Sequence, residues 1–265
     1  MKRNRYLILS QKYAVSANLI RLVFTGSELA DFPVDQESGY VKLLFPPEGE
    51  HSLDGQRLDD KSYFKQVRKR TLTIHAFDAD KQELHLDGVT HSFGNSDQGP
   101  ASCWMEQAEP GNGLWLSGPG EKKLIQAPAD WYFLAGDMTA LPAIAINLAQ
   151  LPADAQGLAV IEVMSEADIV DLIKPDLMAV HWVINPTPKT PNRLLAERVR
   201  ELPWLEGSPA VWVAGEFEMM RDLRRYFKQE KNIDKHLIYA SSYWKIGESD
   251  EGNKRAKQLD EQGAL

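Results

Sequence analysis

The stretch 131–150, WYFLAGDMTALPAIAINLAQ, joins an apolar run to a helical segment through a glycine turn. Trp131–Ala135 has the length and the unbroken apolar character of a strand that is buried on both faces. Ala140–Leu151 has helical length, and Gly136 lies in the turn between the two segments. A buried strand that leads into a helix is the repeating unit of parallel sheets covered by helices. We therefore expect an α/β domain around this stretch.

The same alternation continues through the second half of the chain. Further apolar runs of strand length lie at Leu158–Met164, Ala179–Ile184, Ala210–Ala214 and Leu237–Ala240. Helical segments lie between them at Asn192–Leu202, Glu218–Glu230 and, more weakly, Asp168–Leu172. This order predicts an open, mostly parallel sheet, in which ligands bind beyond the carboxyl ends of the strands. Gly136 and Gly215 follow two such ends, where glycine admits a ligand and the next helix offers free N–H groups to phosphate. The alternative is that these turns need glycine for their own geometry.

The first half has the pattern of a small antiparallel β-barrel, because short apolar runs are separated by Gly, Pro, Asp and Ser turns. The runs are Arg5–Ser10, Leu19–Thr25, Gly39–Phe45, Thr71–Phe77, Glu83–His91 and Trp115–Ser117. Alternation in RTLTIHAF predicts two faces, one with Leu72, Ile74 and Ala76 and the other with Thr71, Thr73 and His75. The polar segment Pro47–Lys69 is expected to be a long loop or excursion. We place the barrel domain at residues 1–127, the α/β domain at 128–247, and a charged tail or surface helix at 248–265.

Composition limits the classes of function. The 265 residues carry a formal net charge of −8, so we expect no nucleic-acid partner and no binding to anionic membranes. No apolar run approaches the roughly 18 residues of a membrane span. Cys103 is the only cysteine, which excludes an intrachain disulfide and a four-cysteine iron–sulfur cluster and fits a reducing compartment. No histidine pair has the HExxH spacing, and we expect no metal site. The expectation is a cytoplasmic monomer.

Two segments of the barrel half have the residue types of a phosphate site. Arg70 opens the strand RTLT and supplies a fixed positive charge. Gly99, Pro100 and Ser102 begin a short helix, where proline suits the first turn and free N–H groups face an anion. The alternative is a surface arginine and an ordinary helix start. Neither GxGxxG nor a Walker sequence is present in the chain, so a dinucleotide would need a different fingerprint.

Six stretches together resemble a known family. They are RTLTIHAFDADKQELHLDGVTH (70–91), GPASCWMEQAEPGN (99–112), LSGPG (116–120), FLAGDMTALPAIAINLAQLP (133–152), VWVAGEFEMMRDLRRYF (211–227) and SSYWKIG (241–247). Their order and spacing resemble those of siderophore-interacting proteins, which are flavin-dependent ferric-siderophore reductases of the ferredoxin-reductase-like superfamily. The resemblance extends from about residue 5 to residue 250, which is nearly the whole chain.

The resemblance implies FAD, bound non-covalently in the barrel domain. By position, Arg70 would hold the flavin phosphate and Thr73 would lie beside the isoalloxazine ring. The other positions that match the family's flavin segments are Leu72, Asp87, Val89, His91, Gly99, Ala101 and Ser102. The family usually has tyrosine where this chain has Leu72, which removes a hydrogen bond of about 1 kcal/mol to the flavin.

The resemblance also implies NADH or NADPH as the electron donor. The matching positions are Gly136, Asp137, Thr139, Ala140, Gly215 and Glu216, and Trp244 is assigned to cofactor binding as well. A flavin accepts an electron pair as hydride and passes single electrons to Fe(III). Ferric siderophores of the catecholate type are anionic, so an acidic protein needs a local basic patch to bind them. The candidates for that patch are Lys42, Lys123 and Lys245.

Three other readings stay open on the sequence. Reduced ferredoxin replaces the nicotinamide nucleotide in the first, so that ferredoxin becomes a protein partner. The second is a siderophore-binding protein without enzymatic activity, for which the glycine turns of the α/β half have no obvious use. The third is a general flavin reductase with free flavin as its substrate, which the leucine at position 72 keeps open.

Overall fold

The computed structural model describes residues 3–90, 99–125 and 128–262. The chain divides into two compact units, Met1–Lys123 and Leu124–Leu265. The predicted boundary, after residue 127, lies slightly further along the chain. None of the helices in the described ranges combines the length and the apolar character that crossing a membrane requires.

The first unit contains a closed barrel of six antiparallel strands. They are β1 (Arg3–Ala14), β2 (Leu19–Thr25), β3 (Tyr40–Phe45), β4 (Arg68–Asp78), β5 (Glu83–Val89) and β6 (Gly113–Gly120). Around the barrel the order is β1-β2-β5-β4-β3-β6. Leu7, Phe24, Leu43 and Ile74 are fully buried in its core, as the inward-facing residues of short alternating strands should be. The predicted antiparallel barrel is confirmed.

The alternation predicted for RTLTIHAF holds only as far as Ile74. The register between β4 and β5 shifts between Ile74 and Ala76, so His75 forms a bulge. A bulge inserts one residue into one strand, and the residues after it change faces. Phe77 therefore packs against the barrel core. The prediction that Ala76 lies on the same face as Leu72 and Ile74 is wrong. The run predicted to end at His91 ends as a strand at Val89.

The excursion between β3 and β4 has a core of its own. It contains a 3-10 turn at Gly55–Arg57 and the helix α1 (Lys61–Gln66). A small cluster separate from the barrel core consists of Leu44, Leu58, Tyr63 and Val67. One further helix of this unit, α2 (Pro100–Gln107), precedes β6. Of the two predicted alternatives, a long loop or an excursion, the segment is an excursion with structure of its own, because a few apolar residues among polar ones suffice to pack one short helix.

The second unit is a parallel sheet of five strands with helices between them. The strands are β7 (Trp131–Gly136), β8 (Gly157–Val163), β9 (Met178–Ile184), β10 (Pro209–Glu216) and β11 (Ile238–Trp244), in the order β11-β10-β7-β8-β9. The helices between them are α3 (Leu141–Gln150), α4 (Leu194–Glu201) and α5 (Phe217–Arg225). All residues of β7, β8 and β10 are buried, which explains their unbroken apolar runs. The predicted parallel α/β sheet is confirmed.

The weak helix predicted at Asp168–Leu172 is absent. A 3-10 turn at Glu166–Asp168 stands in its place and ends in extended backbone at Ile169. The Asp168 carboxylate accepts hydrogen bonds from the backbone N–H and the hydroxyl of Ser165. This capping box starts a turn, but the residues that follow it do not continue as a helix.

The charged segment predicted as a tail or surface helix forms the helix α6 (Asp250–Glu261). Its Asn253 Oδ1 accepts a hydrogen bond of 2.6 Å from Ser242 Oγ of β11. Its Lys257 Nζ donates to Ser242 O over 3.1 Å, and Ala256 is buried in the core of the second unit. The segment is therefore docked on the edge strand of the sheet rather than a solvated tail.

Candidate functional site

The strongest candidate for an anion site among the described residues of the barrel unit is Arg70 together with the start of α2. Gly99 is the N-cap of this helix, Pro100 fills its first turn, and no side chain of the described residues caps it. A Cβ built on Gly99 would lie 3.3 Å from Arg70 Nη2 and 3.5 Å from Arg70 Nε. The absence of a side chain at Gly99 thus lets the guanidinium lie against the turn. A guanidinium beside a helix N-terminus without a cap is an arrangement that favours phosphate.

The two neighbouring flavin candidates on β4 lie at the barrel wall. Leu72 is half-buried and packs against the barrel core, with Cδ1 3.4 Å from the position that a Cβ of Gly88 would take. Thr73 is buried and lies opposite Asp87 in the register of β4 with β5. The proximity of Arg70, Leu72 and Thr73 follows from the strand itself. Their roles toward FAD stay predictions.

The Asp87 carboxylate has protein partners already. It accepts two hydrogen bonds from Arg21, of 2.7 and 2.9 Å, and its Oδ2 lies 3.4 Å from His75 Nδ1. Burial lowers the pKa of His75, and the negative charge of Asp87 acts in the opposite direction. If Asp87 contacts the cofactor, it does so through its backbone or through a carboxylate that already binds Arg21.

The remaining barrel candidates lie in several places. Val89 ends β5, and Ala101 and Ser102 are buried in the first turn of α2. Lys42 lies in β3, opposite Thr71 and Ser117. Lys123 donates to Glu121 over 3.4 Å. The remaining flavin candidate, His91, falls outside the described residues.

In the second unit, the Asp137 carboxylate ties together the carboxyl ends of three strands. It accepts hydrogen bonds from Thr139 N (2.9 Å) and Thr139 Oγ1 (2.5 Å). It also accepts from Glu216 N at the end of β10 (2.7 Å) and from Trp244 Nε1 at the end of β11 (2.8 Å). Burial raises the pKa of Asp137, while these hydrogen bonds act to lower it. The four bonds make Asp137 the organiser of this edge.

The two glycines that precede the helices are required by this packing. A Cβ on Gly136 would lie 2.6 Å from Ala214 O and 2.7 Å from Ala140 Cβ. Gly215 has φ +141°, and a Cβ there would lie 2.5 Å from Asp137 Oδ2. Ala140, the N-cap of α3, packs close to Gly136, so that the helix begins at Leu141, shortly after the strand ends. Both glycines therefore have a structural reason whether or not a ligand approaches them.

The expectation that the helix after Gly215 offers free N–H groups to phosphate is wrong. Glu216 is the N-cap of α5, and its Oε2 accepts hydrogen bonds from Glu218 N (2.7 Å) and Met219 N (3.1 Å). Its Oε1 accepts from Ile246 N over 3.2 Å. The carboxylate both satisfies the helix N–H groups and adds negative charge where phosphate was expected.

A cavity of about 700 Å³ opens at this edge within the second unit. Asp137, Glu216 and Trp244 line it together with Glu162 of β8. Glu162 accepts a hydrogen bond of 2.9 Å from Asn185 Nδ2. Burial raises its pKa to about 7, and the charges of Asp137 and Glu216 add to the rise. The strand ends thus give the cavity an acidic side.

Cationic side chains line the other parts of the cavity, and most of them are paired. They are Arg193, Arg221, Arg224, Arg225, Lys228 and Lys245. Lys245 Nζ lies 2.8 Å from Glu218 Oε1 and 4.1 Å from the ring centre of Phe217. Its predicted role in siderophore binding therefore requires it to share its charge with Glu218.

Sequence reasoning missed Glu162 and Asp260, both of which line the cavity. Glu162 is the one charged residue in the apolar strand GLAVIEV, and an acid in a fully buried run is a signal in its own right. Asp260 carries no such signal in the charged segment around it. Among the described residues, no group of three or more His, Cys, Asp or Glu side chains is placed to hold a metal ion.

Comparison with known proteins places this geometry in a family. The sequence profile of the siderophore-interacting FAD-binding domain matches residues 8–123, and that of the siderophore-interacting protein matches residues 129–247. The chain is 33% identical over 252 residues to the ferric vibriobactin reductase ViuB of Vibrio cholerae, covering 93% of this chain and 91% of ViuB. The NADPH-dependent ferric-chelate reductase of Escherichia coli is 23% identical over 247 residues, covering 91% and 93%.

The fold is shared as well. The crystal structure of the siderophore-interacting protein SipS from Aeromonas hydrophila superimposes with a TM-score of 0.83 at 32% identity, covering 98% of this chain and 99% of SipS. The two profiles match the barrel and the parallel sheet in their order along the chain. With relatives above 30% identity matched over nearly their full length, this chain belongs to the siderophore-interacting protein family, and its first half is that family's FAD-binding domain.

Proposed function

We propose that this protein reduces ferric siderophores, with FAD as its cofactor and NADH or NADPH as its electron donor. Relatives named as a ferric vibriobactin reductase and as a ferric-chelate reductase support the reaction class. The single observation that carries the proposal in this chain is the guanidinium of Arg70 against the start of α2, which no side chain within residues 3–90, 99–125 and 128–262 caps. That arrangement suits the phosphates of a bound flavin nucleotide.

The residues at this place fit FAD. Arg70 supplies fixed positive charge, the first turn of α2 supplies backbone N–H groups, and Gly99 leaves the space that a Cβ would fill. Thr73 and Leu72 continue along β4 from the phosphate site, so we assign them to the side of the isoalloxazine ring. When bound, FAD accepts two electrons together and delivers them singly, which links a nicotinamide donor to Fe(III).

We assign the donor to the cavity of the second unit. The cavity opens at the carboxyl ends of parallel strands, where such sheets bind nucleotides. The carboxylate of Glu216 occupies the N–H groups at the start of α5, so this helix offers no place for the phosphates of the donor. We therefore assign the phosphates to the cationic side chains that line the cavity. The name of the Escherichia coli relative supports NADPH as one candidate donor.

The substrate is an anionic iron chelate in this proposal. Lys42 and Lys123 of the barrel unit and Lys245 of the second unit are the proposed cationic contacts. Fe(III) binds hard oxygen ligands far more tightly than Fe(II), so reduction by itself releases the metal. We place the reaction in the cytoplasm, because a single cysteine in the chain fits a reducing compartment.

The test is the visible absorption spectrum of the purified protein under anaerobic conditions. We expect an oxidised-flavin spectrum that bleaches with NADH or NADPH and returns when a ferric catecholate siderophore is added, with Fe(II) trapped by ferrozine. A flavin that is reduced by dithionite but by neither nucleotide, and that the siderophore reoxidises, would indicate ferredoxin as the donor in place of NADH or NADPH. A protein that binds the siderophore but cannot be loaded with FAD would contradict the reductase.

A further inference from the structure

The proposed function gives no role to one cluster of ion pairs in the cavity of the second unit. The Asp260 carboxylate of α6 binds two arginines of α5, one with each oxygen. Arg221 Nε lies 3.1 Å from Oδ1, and Arg224 Nη2 lies 2.7 Å from Oδ2. The side chain of Asp260 is only 5% exposed, whereas those of Arg221 and Arg224 are 28% and 37% exposed. All three residues line the same cavity.

The geometry is that of a filled oxyanion site. Two guanidinium groups converge on a pair of oxygens, as they do when they bind a phosphate or a carboxylate. The N-terminus of α5, which lines the same cavity, is taken by Glu216. Among the described residues that line the cavity, the paired arginines of α5 are thus the best remaining place for a phosphate.

The occupant of the pair is held by contacts that do not depend on the arginines. Asn253 and Lys257 fasten α6 to Ser242 of β11, and Ala256 is buried in the core. Asp260 is therefore presented to Arg221 and Arg224 by a docked helix. Its carboxylate has a high effective concentration at the pair, as any tethered ligand does.

We propose that Arg221 and Arg224 bind a phosphate group of the nicotinamide nucleotide and that Asp260 competes with it, so that α6 sets the affinity for the donor. This inference rests on the proposed function, because it needs a nucleotide in the cavity. The phosphate is either the 2′-phosphate that distinguishes NADPH or the diphosphate that both donors carry. Binding a nucleotide then requires the carboxylate to give up one or both guanidinium groups.

The test is calorimetric titration of the FAD-loaded protein with two redox-inert probes. Adenosine 2′,5′-bisphosphate carries the 2′-phosphate, and ADP-ribose carries the diphosphate without it. Asp260→Asn keeps the size and one acceptor oxygen of the side chain but removes its charge. We expect this variant to bind one of the probes about five- to tenfold more tightly than the unaltered protein. Glu251→Gln, which removes a charge elsewhere on α6, should leave both affinities unchanged.

A second variant separates competition from a structural role. Arg224→Gln should abolish the gain in the Asp260→Asn background and have a smaller effect alone, because Asp260 already occupies that arginine in the unaltered protein. A gain for adenosine 2′,5′-bisphosphate only assigns the pair to the 2′-phosphate, and a gain for ADP-ribose assigns it to the diphosphate. Equal affinities in the Asp260→Asn variant and the unaltered protein would overturn the inference, as would a gain that survives Arg224→Gln.

The same samples distinguish this inference from the function on which it rests. If NADH or NADPH bleaches the flavin of the unaltered protein while Asp260→Asn changes neither probe, only the competition is wrong. If neither nucleotide bleaches the flavin and neither probe binds any variant, the nucleotide donor and the competition are both wrong.

Discussion

The two units begin comparable helices in opposite ways. In the barrel unit α2 starts at Gly99, is capped by no side chain of the part of the chain that the structure describes, and lies beside the guanidinium of Arg70. In the second unit α5 starts at Glu216, whose carboxylate takes the N–H groups of the first turn. Each helix has a glycine at its N-cap or directly before it, Gly99 for α2 and Gly215 for α5, and the sequence predicted a phosphate site at both. The comparison teaches that the side chain at the N-cap decides whether a helix N-terminus is open to a ligand.

The closed edge depends most on one side chain, so its removal should have the largest effect. Asp137→Ala leaves four hydrogen-bond donors at the ends of β7, β10 and β11 without their acceptor. We expect the free energy of unfolding to fall by about 3–5 kcal/mol. Urea denaturation, monitored by tryptophan fluorescence, measures this change. Asp154→Ala, in an exposed loop, is the control. A loss of less than about 1 kcal/mol would show that the edge is held by other contacts.

The open site is tested by removing its charge. Arg70→Ala should weaken FAD binding about 30- to 150-fold, because a charge-assisted hydrogen bond to phosphate contributes about 2–3 kcal/mol. The measurement is fluorescence titration of flavin-free protein with FAD. Arg68→Ala removes an exposed arginine of the same strand, which donates to Pro46 O, and should leave the affinity unchanged. Equal affinities for both variants would remove Arg70 from the phosphate site.

The acidic side of the cavity predicts a dependence of stability on pH. The pKa of Glu162 is about 7 in the folded protein and about 4.5 in the unfolded chain. The unfolded chain therefore loses this proton first as the pH rises, and folding becomes less favourable between pH 4.5 and 7. Above pH 7 the penalty is constant, at about 3 kcal/mol.

Glu162→Gln should therefore stabilise the protein at pH 8 by about that amount and change little at pH 4.5, since glutamine still accepts the hydrogen bond from Asn185. Denaturation at several pH values measures the difference. Glu206→Gln, at an exposed position, controls for the loss of one negative charge. A gain that is the same at every pH would contradict the buried titration.

The smallest expected effect concerns the ring end of the flavin site. Leu72→Tyr restores the side chain that the family usually has, and we expect FAD to bind about fivefold more tightly, which corresponds to about 1 kcal/mol for one hydrogen bond. Leu72→Phe provides the ring without the hydroxyl. Flavin fluorescence should be quenched by both variants, and the affinity should rise only with tyrosine. No change with either variant would place position 72 away from the flavin.

The sequence predicted what short-range pattern encodes. Continuous apolar runs such as Trp131–Ala135 predicted the parallel strands. The residue types at positions 70 and 99 predicted a phosphate site, and the fold does bring Arg70 and Gly99 together. The bulge at His75 was not predictable, because no glycine or proline marks it and the partner strand determines the shift. Local patterns report local structure, and register is a property of two strands.

The two other misses differ in how far apart the partners lie in the sequence. The acceptor role of Glu216 at its own helix could have been read from its N-cap position, two and three residues before the N–H groups it binds. The ion pairs of Asp260 could not have been predicted in this way, since Arg221 and Arg224 lie far earlier in the chain and contact Asp260 only because α6 docks there. The charged composition of residues 250–261 concealed the few residues, such as Ala256, that hold the helix in place.

The end of α5 is wound more loosely than the rest of that helix. Residues Tyr226–Glu230 form a π turn, in which Lys231 N donates to Tyr226 O over 3.0 Å, five residues back. A π turn of this kind is what one inserted residue leaves in an α-helix when the packing on both sides is kept. Tyr226 and Phe227 both remain in the core. A deletion of one residue here would therefore restore an ordinary helical turn and keep the packing before and after it, whereas a deletion inside α5 itself would rotate everything after it by about 100°. The π turn is thus the place where this helix best tolerates a change of one residue in its length.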